Sequence, residues 1–370
     1  MRGAQVKPII IAAGGTGGHF FPAEALAAEL MKRGERVVLI TDSRSGGLNS
    51  TVFEKAERHV VAGAGLSGRS LGSAMRGVVA LLRGIRQAHA LMAGLNPGAV
   101  VAFGGYPAIP PVIAARFMRQ RPMIFLHEQN AVLGRANRLL AYFSDQLALT
   151  FTKTEKIPAG KKTIILGNPV RPAIAALYLQ GYQAPSDKIE ILVLGGSLGA
   201  KVFGTLIPAA LALLPEYLRE KLVVSQQCRA DDTPQAQAIF QSAKIHATLS
   251  PFFDNVAELL SNAHLVIARS GASTVAELTI AGRPAIFIPL PSAIDDHQRA
   301  NADALADCGA AWRVDQALLT PQILANKIET LINNPQTLES AATAATTQAH
   351  PGAAEKLADL VQNAMAGAKL

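Results

Sequence analysis

Short apolar runs alternate with longer, amphipathic ones along almost the whole chain. Residues 8–13 (Pro-Ile-Ile-Ile-Ala-Ala) have no polar position and run into glycine, the pattern of a strand buried on both faces of a parallel sheet. Similar runs recur at 37–41, 100–103, 123–127, 146–150 and 163–166, and again at 189–194, 222–225, 246–249, 265–268 and 285–289. Helical stretches lie between them, so the pattern predicts an α/β protein with parallel sheets wound on both faces. The rhythm stops at Asn168-Pro169-Val170-Arg171-Pro172 and restarts after a loop holding Gly181, Pro185 and Ser186. That break predicts a boundary near 167–187 between two doubly wound domains, and 370 residues suffice for each to bury its own core.

Glycines cluster where predicted strands end. After the first strand come Gly14-Gly15-Thr16-Gly17-Gly18-His19, with Pro22 expected in the first turn of the following helix. Without Cβ atoms the backbone can approach a ligand closely, and successive N–H groups can converge on an oxyanion at a helix N-terminus. His19 ends this turn, in reach of whatever it holds. Three more loops share the arrangement: Gly104-Gly105-Tyr106-Pro107, Gly195-Gly196-Ser197-Leu198-Gly199, and Arg269-Ser270-Gly271-Ala272-Ser273-Thr274, which opens a helix carrying Glu277. Ligands of such sheets bind beyond the carboxyl ends of the strands, where all four loops fall, so two facing domains are expected to line one cleft. The dinucleotide fingerprint, G-x-G-x-x-G with an acid about twenty residues on, fits Gly14 to Gly18 poorly, which argues against a hydride-transferring dehydrogenase.

Composition narrows the class further. Apolar residues make up 49% of the chain and aromatics 5%, which suits α/β layers better than a sandwich or a disordered chain. Cys228 and Cys308 stand far apart, so neither a disulfide framework nor a zinc cluster is expected, and the start of the chain shows no signal-peptide pattern. Both observations predict a reducing, cytoplasmic setting. Residues 91–115 are uncharged but interrupted by Gly104-Gly105, Pro107, Pro110 and Pro111, so no transmembrane helix is expected there.

The net charge of +8 is unevenly placed. Between residues 58 and 127 stand Arg58, Arg69, Arg76, Arg83, Arg86, Arg116, Arg119 and Arg121, with no lysine, aspartate or glutamate. Setting these aside, the remaining basic residues equal the 27 acidic ones, so this stretch carries the whole excess. Within it Leu71, Met75, Val78, Val79, Leu82 and Ile85 share one arc at helical spacing, while Arg69, Arg76 and Arg83 follow its flank. Two readings remain open: a core-facing helix with a solvated basic edge, or an interfacial surface meeting anionic lipid. Nucleic acid is disfavoured, because no recognition module appears and the rest of the chain is electrically balanced.

Seven motifs in order give the chain a family resemblance: GGTGGHFFPA at Gly14, FGGYP at Phe103, HEQNAVLG at His127, GNPVR at Gly167, GGSLGA at Gly195, RSGASTVAE at Arg269 and DHQRANA at Asp296. Together they resemble the MurG family, the undecaprenyl-diphospho-muramoylpentapeptide β-N-acetylglucosaminyltransferases. The resemblance implies a GT-B fold, two Rossmann-like domains facing a central cleft. The expected organisation is an acceptor and membrane-facing domain over 1–167, a UDP-GlcNAc domain over 168–348 and a helix over 349–370 that returns to the first domain. It implies transfer of N-acetylglucosamine from UDP-GlcNAc to the C4 hydroxyl of the muramoyl sugar of lipid I, with inversion, at the cytoplasmic face of the bacterial inner membrane. Another glycolipid or a diacylglycerol is the alternative acceptor. Leu198, Pro107-Ala108 and a longer loop at Asp295-Asp296 depart from the family pattern but leave the glycine framework intact.

The chemistry needs a base, donors for a leaving diphosphate and a means of selecting the nucleotide. His19 is expected to be the base, since imidazole titrates near neutrality. Thr16, Gly17, Gly18, Ser197, Ala272, Ser273, Thr274, Val275 and Ala276 are expected to line the donor through backbone and hydroxyl groups, with Arg171 as a phosphate clamp. By the resemblance, Phe253 lies beside the uracil, Glu277 accepts from the ribose hydroxyls, Gln298 contacts the sugar, and Asn130 reaches the donor from the first domain. Gly15, Gly104, Gly105, Tyr106, His127 and Glu128 are assigned to the acceptor side, although His127 and Glu128 serve equally well as orienters of the glycine loop. Asp295, Asp296 and His297 look like a metal cluster but are read as helix caps. No protein metal site is expected and no cofactor is required, a divalent cation being left an assisting role. The implied partners are UDP-GlcNAc, lipid I and an anionic membrane met by the segment from Arg69 to Arg86, with room for other cell-wall synthesis proteins.

Overall fold

The computed structural model describes residues 7–14, 17–43, 50–63, 71–196 and 200–367, leaving aside the side chains of 71–74. The expected positions Gly15, Thr16, Arg69, Ser197 and Leu198, and the side chain of Leu71, therefore lie outside the described residues. The chain divides into two units, one of Met1–Arg171 with Gly352–Leu370, the other of Pro172–Pro351.

The first unit holds seven parallel strands: β1 (Ile9–Ala12), β2 (Val37–Thr41), β3 (Glu57–Val60), β4 (Ala99–Ala102), β5 (Met123–Glu128), β6 (Gln146–Leu149) and β7 (Thr163–Ile165). Their order across the sheet is β3-β2-β1-β4-β5-β6-β7, so the chain reverses direction of travel between β1 and β4, where ligands of such sheets bind. Successive residues of a strand point to opposite faces. Ile9, Ile11, Leu39 and Val101 accordingly pack with Leu26 and Leu30 of α1 (Gly17–Lys32) and with Leu357 and Val361 of α14 (Ala353–Met365). Ile10, Val38, Ile40 and Val100 pack on the other face with Ala88 and Met92 of α2 (Leu71–Leu95) and Val112 of α3 (Ile109–Arg116). The helix α14 is tied to the end of α1 by Arg33, whose guanidinium bonds Asp359, Gln362 and the carbonyl of Glu355.

The second unit repeats the design with six parallel strands ordered β10-β9-β8-β11-β12-β13. They are β8 (Ile189–Leu194), β9 (Leu222–Gln227), β10 (His246–Ser250), β11 (Leu265–Ala268), β12 (Ala285–Phe287) and β13 (Ala311–Arg313). Ile191, Val193, Val224 and Ile267 pack against Phe203 and Ile207 of α6 (Phe203–Ala212) and Leu324 and Ile328 of α12 (Pro321–Ile332).

Two expectations are corrected here. The helix α1 begins at Gly17, so His19 sits in its first turn and not at the end of a loop, and Pro22 lies inside it. The Gly-Gly pair takes helical conformation, and Pro22 forgoes one intrahelical bond. At α11 (His297–Ala306) the N-cap residue Asp296 makes no side-chain cap bond, and Asp295 and Asp296 both take positive φ, 55° and 54°. Asp296 instead bonds Arg299 at 2.7 Å, and His297 Nδ1 bonds the carbonyl of Ile294 at 2.8 Å.

Candidate active site

In the first unit the carboxyl ends of β1, β4 and β5 are neighbours, and each delivers part of one polar cluster. The first turn of α1 supplies Gly17, Gly18 and His19. Beyond β4 the chain turns through Gly104 and Gly105, with φ of 87° and 71°, a region that glycine enters without strain. The positions are also sterically closed. A Cβ on Gly104 would meet the Asn137 side chain at 3.1 Å, and one on Gly105 would meet His19 Cδ2 at 3.3 Å. The loop is thus laid directly against the imidazole of His19, with Tyr106 following it.

At the end of β5, His127 and Glu128 are almost fully buried. His127 Nε2 lies 2.8 Å from the carbonyl of Gly167, and its Nδ1 lies 3.0 Å from Gln129 Nε2. Gln129 Oε1 is in turn 2.9 Å from His19 Nδ1. One oxygen of Glu128 accepts from the backbone and side-chain nitrogens of Asn130, each at 3.0 Å. The other accepts from Gly134 N and Asn137 Nδ2, each at 2.9 Å. Both side chains spend polar atoms on protein groups: Glu128 holds the loop of residues 129–134 and the start of α4 (Arg135–Leu140), and His127 reaches His19 through Gln129. Arg171 lies over the ring of Phe21, 5.3 Å from its centroid, on the α1 side of the same unit.

Burial pushes the His127 imidazole down from its ordinary 6.5 to about 4, outweighing the favourable pull of the Gly167 carbonyl and the Glu128 carboxylate. A histidine held neutral in the fold is charged only in the unfolded chain as pH drops below 6.5. Stability associated with it is therefore complete above that pH and is lost at roughly 1.4 kcal/mol per pH unit on the way to pH 4. Urea unfolding midpoints between pH 7 and 5 are expected to fall, and a His127→Gln variant is expected to flatten that slope; an equal slope in the variant would assign the effect to other groups.

In the second unit the loops beyond β8, β11 and β12 are stitched by side chains. Gln227, last residue of β9, accepts from Gly195 N and donates to the carbonyls of Gly196 and Pro251, all at 3.1 Å. Arg269 is buried with its guanidinium over the Phe203 ring, 4.8 Å from the centroid. It donates to the carbonyls of Ile288 and Pro289 and to Gln316 Oε1. Ser270 donates to the carbonyl of Gln298 at 2.6 Å, and Asn301 to that of Ser270 at 3.0 Å. Gln298 Oε1 accepts from Leu290 N at 2.9 Å, which leaves its amide nitrogen directed elsewhere.

This scaffold fixes the N-terminus of α10 (Ala272–Ala281) at the end of β11. No side chain caps it, since Gly271 holds the N-cap position, and the first-turn amides are the donors that an anion can take. The Ser273 hydroxyl is buried, with no protein partner among the described residues. Glu277 follows Ser273 by four residues and Thr274 by three, so the three share one face of the helix. Ala272, Val275 and Ala276 are buried around them. At the end of β10, Phe253 is buried at 8% exposure whereas the adjacent Phe252 is 58% exposed, so Phe252 is the ring available for stacking on a planar base. Sequence reasoning passed over Phe252, Gln129 and Arg269. The first has the same residue type as its chosen neighbour, and the other two bond partners distant in sequence, His19 for Gln129 and Ile288, Pro289 and Gln316 for Arg269.

Residues 9–149 match the glycosyltransferase family 28 N-terminal domain and residues 190–357 its C-terminal domain. Two relatives are each named UDP-N-acetylglucosamine–N-acetylmuramyl-(pentapeptide) pyrophosphoryl-undecaprenol N-acetylglucosamine transferase. The one from Granulibacter bethesdensis is 53% identical, covering 98% of this chain and 95% of that protein. The one from Acidiphilium cryptum is also 53% identical, covering 99% of each. Among solved structures, Acinetobacter baumannii MurG is similar with a TM-score of 0.78 and 32% identity, over 96% of this chain and 99% of that one. A UDP-GlcNAc 2-epimerase from Neisseria meningitidis shares the fold at a TM-score of 0.66 and 16% identity, over 96% of this chain and 100% of that one.

Proposed function

The chain belongs to glycosyltransferase family 28, with the GT-B fold, and on that premise we infer that it makes lipid II. It transfers N-acetylglucosamine from UDP-GlcNAc to the C4 hydroxyl of the N-acetylmuramyl-pentapeptide on pyrophosphoryl-undecaprenol. The hydroxyl oxygen attacks the anomeric carbon with inversion as the bond to UDP breaks, and the hydroxyl proton passes to a base. What carries this reading is the match along the whole chain to transferases of that name, with the motif residues falling at the carboxyl ends of both sheets.

The residues divide by chemistry. His19 takes the proton, a role supported by its place in the first turn of α1 and against the Gly105 loop. The amides opening α10 and the unpartnered Ser273 hydroxyl suit the diphosphate, without a tightly held metal, and Glu277 suits the ribose diol because a carboxylate accepts from both hydroxyls. Gln298 suits the sugar and Phe252 the uracil. Purified protein given labelled UDP-GlcNAc is expected to label lipid I and release UDP stoichiometrically. Transfer to a diacylglycerol or another glycolipid in preference to lipid I would overturn the acceptor assignment.

We place the enzyme at the cytoplasmic face of the inner membrane through α2. Met75, Val78, Val79 and Leu82 project from this helix into solvent, Met75 at 68% and Val79 at 65% exposure, beside the exposed Arg76, Arg83 and Arg86. Phe117, Leu139 and Tyr142, beyond α3 and on and beyond α4, add further exposed apolar surface, and among the described residues no helix is long and apolar enough to cross a membrane. An exposed apolar row flanked only by cations fits peripheral attachment to anionic lipid. At about 1 kcal/mol per arginine near such a surface, replacing Arg76, Arg83 and Arg86 with glutamine is expected to weaken sedimentation with phosphatidylglycerol vesicles about a hundredfold. High salt is expected to do likewise; binding indifferent to both would contradict the assignment.

A further inference from the structure

We propose that Gln129 is a positioning residue: its carboxamide, oriented by His127, holds the His19 imidazole with hydrogen on Nδ1 and the lone pair on Nε2. The inference rests on the reading of His19 as the base and adds what makes one particular nitrogen of that ring basic.

The assignment follows from donors and acceptors alone. The Gly167 carbonyl can only accept, so the hydrogen of His127 sits on Nε2, 2.8 Å away. His127 is fully buried and neutral at physiological pH, which leaves its Nδ1 a bare acceptor. Gln129 Nε2 lies 3.0 Å from that nitrogen and 3.0 Å from the His127 carbonyl. Two acceptors demand the amino end of the carboxamide, so its oxygen faces His19. That oxygen can only accept, and at 2.9 Å from His19 Nδ1 it requires the hydrogen there. The reversed carboxamide would set an oxygen against two lone pairs.

The second nitrogen of His19 then points toward the glycine loop beyond β4, where a Cβ on Gly105 would lie 3.6 Å from Nε2. The carboxylate of Glu128, next to His127 in the chain, is taken up by Asn130, Gly134 and Asn137. During transfer the acceptor oxygen bonds the anomeric carbon, the leaving oxygen departs with its electron pair as UDP, and the proton moves to His19 Nε2. The imidazolium so formed strengthens its Nδ1–H bond to Gln129.

Gln129→Met keeps the length of the side chain and removes the acceptor. It is expected to lower kcat for transfer to lipid I roughly ten- to a hundredfold, the usual loss for a group that orients a histidine, with KM for UDP-GlcNAc unchanged. Gln129→Glu restores an acceptor with a charge that favours imidazolium. Its second oxygen then faces the His127 Nδ1 and carbonyl acceptors, so the rate is expected to stay below wild type, but the acid limb of the kcat/KM profile is expected to move to higher pH, which a purely structural role would not do. Histidine-15N NMR of the wild-type protein reads the tautomers directly, whatever the variants' folding: Nδ1–H on His19 and Nε2–H on His127 are expected. The opposite tautomer on His19, or a Gln129→Met enzyme with unaltered kcat and pH profile, overturns the inference. An active His19→Ala enzyme instead removes the base reading, whereas an inactive His19→Ala beside an unaffected Gln129→Met removes only the role of Gln129.

Discussion

Replacing His19 with alanine is expected to lower kcat for transfer to lipid I by roughly 10²–10⁴-fold, the usual contribution of a positioned general base. The prediction has a second half, that UDP-GlcNAc binding measured by calorimetry stays within a few-fold of wild type. His19 lies on the first unit against the Gly105 loop, whereas the groups suited to the nucleotide, Ser273, Glu277 and Gln298, lie in the second. Loss of a base that acts only on the acceptor proton lowers kcat and kcat/KM together and leaves nucleotide binding untouched. A His19→Ala enzyme that turns over at the wild-type rate would show that the proton goes elsewhere. One that fails to bind UDP-GlcNAc would show that the His19 side chain, and not only the backbone of Gly17 and Gly18 beside it, serves the donor.

Glu277→Ala is the complementary case and is expected to act on binding. Hydrogen bonds to a charged group contribute about 1.5–3 kcal/mol each, so losing an acceptor for two ribose hydroxyls is expected to raise the KM for UDP-GlcNAc by at least about a hundredfold. The turnover number at saturation should change little, because the ribose is bound alike before and during transfer. Glu277→Gln keeps one good acceptor and is expected to fall between the two. Since Glu277 is buried on α10, thermal unfolding of each variant checks that the helix holds. Equal KM values for wild type and Glu277→Ala would contradict the ribose assignment.

How far the sequence could be read follows from where its signals are local. Strands 37–41 (Val-Val-Leu-Ile-Thr) and 189–194 (Ile-Glu-Ile-Leu-Val-Leu) are mostly apolar runs, broken only by Thr41 and Glu190, and are found at those limits. The edge strand β3 escapes the same reasoning because Glu57-Arg58-His59-Val60 is polar and largely exposed, taking its strand conformation from pairing with β2. The edge strand β13 is three residues long and owes its place to β12. The limits of α1 were misjudged because glycine and proline suggested a loop, whereas the buried helix tolerates both. The arc of Met75, Val78, Val79 and Leu82 was legible as a pattern, but only the structure separates a core face from an exposed one.

The candidate site shows the same division. The glycines at 104 and 105 announce a turn that side chains would block, and the structure supplies the reason, the close approach of Asn137 and His19. Gln129 carries no such announcement. Its meaning depends on a contact with a residue 110 positions earlier, and glutamine at a strand end is otherwise an ordinary surface choice. Arg269 stands inside a motif, yet its buried guanidinium holds the loop after β12 through carbonyls nineteen and twenty positions away, and desolvation lowers its pKa. Glu128 reads as a ligand by type, and its buried carboxylate accepts from Asn130, Gly134 and Asn137.

The most direct measurement is a crystal structure with UDP bound. The diphosphate is expected against the first turn of α10, within hydrogen-bond distance of the amides and hydroxyls of Ser273 and Thr274, with the ribose diol on Glu277. Nucleotide found away from the carboxyl ends of the second sheet, or a first turn of α10 already closed by a protein group with UDP present, would contradict donor capture by these amides and the transfer chemistry built on it.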